Sequence, residues 1–77
     1  MQDHLYKLEL ATRHLIEAQA RVERQRQIVA KLKMARHRTD EAENLLAVME
    51  GSLRCMMQHA ETLKAEVEEE LSGQPRN

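Results

Sequence analysis

Ala42, Leu46, Met49, Leu53, Met56, Ala60, Leu63 and Val67 recur at alternating steps of four and three residues, and no polar residue interrupts them. Only a helix, which turns by about 100° per residue, collects such a series on one face. The first half of the chain repeats the device with Leu8, Ala11, Leu15, Ala18, Val22, Val29 and Leu32, where Gln25 is the one polar member. Each stripe is about 120° wide, the width that a helix turns toward a core. Two such stripes on one chain have each other as their nearest cover.

Between them stands a short polar break, Arg36, His37, Arg38 and Thr39. Its sequence predicts that helix 3–35 ends there, that residues 36–39 turn, and that a second helix covers 40–71 before a disordered tail, 72–77. Thr39 carries a hydroxyl suited to an N-cap, and Asp40, Glu41 and Glu43 follow where carboxylates favour a helix N-terminus. With the cap one residue later, Asp40 and Glu43 have capping-box spacing. Glycine, the residue that ends a helix most easily in the left-handed conformation, is missing, so Arg36 or His37 is expected to take an unfavourable turn geometry. A helix running straight through the break would instead give a rod of about 100 Å. At the far end Glu68, Glu69 and Glu70 crowd a helix C-terminus, which should fray, and Ser72, Gly73, Gln74 and Pro75 carry the stop signals.

So short a connection makes the arms antiparallel neighbours, and the fold class is an all-α, coiled-coil-like two-helix hairpin. Its layers would read Leu32 with Ala42, Val29 with Leu46, Gln25 with Met49, Val22 with Leu53, Ala18 with Met56, Leu15 with Ala60, Ala11 with Leu63, and Leu8 with Val67. Alanine faces a larger residue in four of these layers, as close packing of two helices requires. Charge follows the same division. Seven basic residues stand against Glu23 between Arg21 and Arg38, whereas from Thr39 to Leu71 nine acids stand against Arg54 and Lys64. Gln25 either fixes the register of the seam or turns its amide outward.

A hairpin of 77 residues buries too little surface to be stable with ease by itself. The expected remedy is a homodimer in which two hairpins form a four-helix bundle, with Ile28, Leu45, Met49, Met56 and Met57 at the interface. Leu10 widens the first stripe on the side of Ile28, and Leu5 and Ile16 widen it on the other.

Catalytic constellations are absent: the sequence has no glycine-rich phosphate loop, no nucleophile motif, and carboxylates only on faces expected to be solvated. The reading is a non-enzymatic, cofactor-free interaction or structural module for a protein partner yet to be identified. Its alternative is an RNA-binding dimer that uses Arg21, Arg24, Arg26, Lys31 and Lys33, although no aromatic residues are interleaved to stack on bases. Cys55 and His59, four residues apart, are weak candidates for a soft metal, with His4, His14 or His37 as further ligands, but structural zinc normally takes four. Cys55 is the only cysteine, which excludes an intrachain disulfide and suits a reducing compartment. Asp3 and His4 interrupt any leader-like start, and uncharged runs are far shorter than a bilayer requires, so a soluble cytoplasmic protein is expected.

The stretch His14, Leu15, Arg24, Gln25, Ile28, Val29, Leu32, His37, Thr39, Glu41, Ala42, Leu45, Leu46 and Glu50 resembles a group of short uncharacterised helical-hairpin proteins of rhizobial-type alphaproteobacteria. The group's pattern carries Gly-His-Asp-Thr at the turn, where this chain has Arg36, His37, Arg38 and Thr39. The resemblance covers about half the chain and implies a hairpin without implying an activity. As a fold alone, the expected dimer is similar to the small RNA-binding regulator of plasmid copy number.

Overall fold

The computed structural model describes residues 2–73, with side chains from His4 onward. Two α-helices, α1 (Gln2–Met34) and α2 (Asp40–Ser72), pack as an antiparallel hairpin with extents of 57 × 21 × 14 Å. The chain does not continue through the break as a rod. Helix α1 ends one residue earlier than the sequence pattern suggests, and α2 runs one residue further, through Ser72.

The break is built from backbone hydrogen bonds. The His37 amide donates to the Leu32 carbonyl at 2.9 Å and the Arg36 amide donates to Lys33 at 3.1 Å, while Arg36 takes φ 61°. This is the six-to-one and five-to-two pattern of a Schellman ending, with arginine in the left-handed position that glycine usually fills. Thr39 departs from the expected cap. Its φ of −116° and ψ of 0° give no side-chain bond to the helix amides, and its hydroxyl instead donates to the Glu43 carboxylate. The first turn of α2 is held by the Glu43 amide donating to the Thr39 carbonyl at 2.7 Å, and by Asp40, Glu41 and Glu43 at the positive end of the helix dipole.

The other end of α2 closes on Gly73, left-handed at φ 71°, whose amide donates to the carbonyls of Glu69 and Glu70. Ser72, expected to stop the helix, is its last residue and donates its hydroxyl to the Glu69 carbonyl at 2.9 Å. The remainder of the expected tail, 74–77, lies outside the described residues.

The core is thin. Ala18, Val22, Val29, Ala60, Leu63 and Val67 are buried, and of these Val22 alone is almost fully enclosed, at 2% exposure. Leu8, Leu15, Leu32, Leu46, Met49, Leu53 and Met56 are only partly covered, because each helix has just one neighbour. Gln25 settles inward, 8% exposed, and its amide donates to the Ala42 carbonyl at 3.0 Å. Its amide thus reaches toward the turn end of α2. Ala42 sits near the start of α2, and a carbonyl has two lone pairs, so the bond leaves the helical acceptor role of Ala42 intact.

Cross-arm polar contacts align the helices. Arg26 meets Glu50 at 3.1 Å, Lys33 meets Glu43 at 3.9 Å, and His4 Nδ1 meets Glu70 at 2.5 Å. All three lie within two positions of the expected correspondence between arms. Each is solvent-exposed enough to orient the register more than to stabilise it.

Candidate interaction face

The hairpin has two broad faces, one on each side of the seam, and they differ in chemistry. Residues seven apart on a helix share a side. On one face Arg26 and Lys33 of α1 stand over Glu50 and Glu43 of α2. Arg26 is the hub: its Nε and Nη2 both donate to Glu50 Oε2, at 3.3 and 3.1 Å, and Nη1 donates to Glu23 at 3.4 Å. The hydrogen bond to Glu50, then that to Glu23, raises the Arg26 pKa above its ordinary value, so the charge is constant wherever the protein is folded. The α2 column on this face reads Glu43, Ala47, Glu50, Arg54, Met57, Glu61, Lys64 and Glu68, and six of these eight are charged. We term it the ionic face.

The opposite face is grooved. Near the turn a cleft of about 800 Å³ is lined by Gln25, Leu32, Ala42 and Leu45 together with the charged Arg38, Asp40 and Glu41. A second, of about 150 Å³, lies among Ala18, Val22, Val48, Met49, Ser52 and Met56. A third, of about 260 Å³, is framed by Ala11, His14, Cys55, Met56 and His59. All three open to solvent. Beyond Asp40 and Glu41 at the first cleft, the α2 column along them is Leu45, Val48, Ser52, Cys55, His59 and Thr62, which carries no Asp, Glu, Lys or Arg. Leu45 and Val48 are exposed large apolar residues, Val48 at 67%.

The residues singled out from sequence divide between these faces. Leu45, Met49 and Met56 line the grooves. Ile28, 41% exposed, belongs with them, since it stands seven residues from Arg21 and Arg21 stands seven from His14, both of which line clefts. Met57 does not join them. It stands seven residues after Glu50, on the ionic face, so Ile28 and Met57 cannot meet one flat partner surface together. Val48, which sequence reasoning passed over, is the most exposed apolar residue beside the grooves; the signal that finds it is the absence of charge at steps of three and four, not hydrophobicity at the seam.

The five basic residues are likewise split. Arg26 and Lys33 are engaged on the ionic face, whereas Arg21 lines the grooved side and Arg24 and Lys31, three residues beyond Arg21 and Ile28, lie toward its edge. They do not form one cationic surface. His14, Cys55 and His59 do share a cleft, but among the described residues no group of three or more His, Cys, Asp or Glu is arranged to hold a metal ion. His4 is occupied at the open end of the hairpin, between Glu66 and Glu70. Among the described residues no helix is long and apolar enough to cross a membrane.

No protein-family model, no curated protein and no solved structure matches the chain, so its likeness to known proteins adds nothing to what its own two faces say.

Proposed function

We propose that this protein is a non-enzymatic interaction module, a helical hairpin that works as an oligomer and presents its surface to a protein partner. The observation that carries the reading is the mismatch between a core of six buried apolar side chains and the large apolar residues left outside it, among them Ile28, Leu45 and Val48 along one grooved face. Covering a large aliphatic side chain contributes about 1.5–3 kcal/mol. A two-helix hairpin therefore gains as much from a partner on that face as from a good part of its own seam. Its clefts are shallow and open, shaped to receive side chains from another helix.

Sedimentation equilibrium across a micromolar-to-millimolar range tests this reading. Association with a defined stoichiometry is expected, and a well-folded monomer throughout that range would refute it. Retention of RNA at low salt that falls steeply as salt is added would favour the basic residues of α1 as the working surface instead.

A further inference from the structure

We infer that the grooved face is covered by a second copy of this chain, with α2 packed antiparallel on α2 and the two turns at opposite ends of the dimer. This deepens the proposed function and rests on it. Leu45, Val48, Ser52, Cys55, His59 and Thr62 form an uncharged strip at steps of three and four residues. Eighteen residues of helix make it about 27 Å long. Glu41 and Glu66 occupy the next positions at its two ends, so the strip has definite limits.

The strip matches its own inverse. Placed antiparallel about a two-fold axis between Ser52 and Cys55, Leu45 of each copy faces Thr62 of the other, Val48 faces His59, and Ser52 faces Cys55. An isologous interface requires this self-correspondence. Small residues sit at the axis, where the helices must approach within about 8–10 Å, and bulkier ones lie outward, where crossing helices diverge.

Charge selects the direction. The same axis brings the turn, where Arg36 and Arg38 are exposed, level with the acidic last turns of the other copy's α2, in which Glu70 also holds His4, and at the margins of the strip it sets Glu41 opposite Glu66. With both turns at one end, arginines would meet arginines and the acids would meet acids. Turning α2 onto α1 of the second copy fails for a different reason. The edge of α1 beside the grooves sets Glu17, Arg21, Arg24 and Lys31 among Leu10, His14 and Ile28, and a neutral strip laid over it would take those four charges out of water without a partner.

Three proteins and two cysteine pairs test the inference. Wild type, Val48→Glu and Ala47→Glu are compared by sedimentation, with circular dichroism to confirm helicity. In the Cys55→Ser background, Val48→Cys with His59→Cys marks the strip, and Ala47→Cys with Glu61→Cys marks the ionic face. Members of each pair are too far apart to join within one helix, so a disulfide or a short bis-maleimide bridge between them reports contact between copies. We expect a wild-type dimer that Val48→Glu converts to monomer and Ala47→Glu leaves intact, with covalent dimer from the strip pair alone. A wild-type monomer overturns both this inference and the proposed function. A dimer that survives Val48→Glu, or that crosslinks through the ionic pair, overturns the inference and leaves the proposed function standing. If Val48→Glu unfolds the chain, the strip pair decides, and no crosslink overturns the inference.

Discussion

Replacing Arg36 with glycine should stabilise the hairpin. Arg36 occupies φ 61°, and its side chain has no hydrogen bond or ion pair among the described residues. A side chain in the left-handed region costs about 1–2 kcal/mol, and the added freedom of glycine in the unfolded chain returns about 0.5–1 kcal/mol of that. The net gain is about 0.5–1 kcal/mol, a rise in Tm of roughly 2–8 °C for a domain of this size. The amide of residue 36 still donates to the Lys33 carbonyl, so the turn itself survives the change. Arg36→Ala is the necessary control, because it removes charge and length but keeps the Cβ. Thermal and urea unfolding of the three proteins, followed by far-UV circular dichroism at one fixed protein concentration and with sedimentation showing the same oligomer for each, gives the comparison. The expected order is glycine, then arginine and alanine together. A glycine variant no more stable than the alanine variant would refute the argument that conformational strain at this position limits the turn.

The converse holds at the end of α2. Gly73→Ala meets no atom within 4 Å at φ 71°, so its cost, about 1 kcal/mol, is conformational only and should appear as faster amide exchange over 69–72. Gln25→Leu removes the buried amide and its bond to Ala42 while keeping volume; stability should be unchanged or higher, and gel filtration with light scattering should show a broader set of oligomers, whereas a loss of about 2 kcal/mol would mean the bond itself holds the seam. His4→Ala removes the links to Glu70 and Glu66 across the open end. Hydrogen exchange should quicken at that end and not around Val22, and an equal change at both places would show that the link acts on the whole seam.

Much of the hairpin is legible in the residues themselves. The two stripes, the reversal of charge sign at the break and the acids that open α2 all act through neighbours three or four positions away, so helix placement follows from local periodicity. The antiparallel arrangement follows from the shortness of Arg36 to Thr39, since so few residues leave the second helix little room except beside the first. The missing glycine correctly marks the turn as the place of backbone strain. Periodicity could not say that arginine would accept the left-handed position, nor that the Thr39 hydroxyl would turn to Glu43 instead of capping, because both depend on the path the chain takes between two packed helices.

What packing alone decides is the difference between the two sides of the seam. Along α2 the sequence holds both a charged column and a neutral one, but only the antiparallel arrangement of α1 makes one side an ionic face, through Arg26 with Glu50 and Lys33 with Glu43, and leaves the other grooved. Met57 and Val48 exchange importance for that reason. Met57 is the more conspicuous beside the apolar stripe, yet it stands among charges, while Val48 borders the clefts. Gln25 shows the same dependence, since a polar residue in a stripe can face in or out until a carbonyl such as that of Ala42 comes within 3.0 Å. Helix formation is a local matter and was determined by the sequence; the choice of a partner for each side chain requires residues distant in the chain, and the fold supplies it.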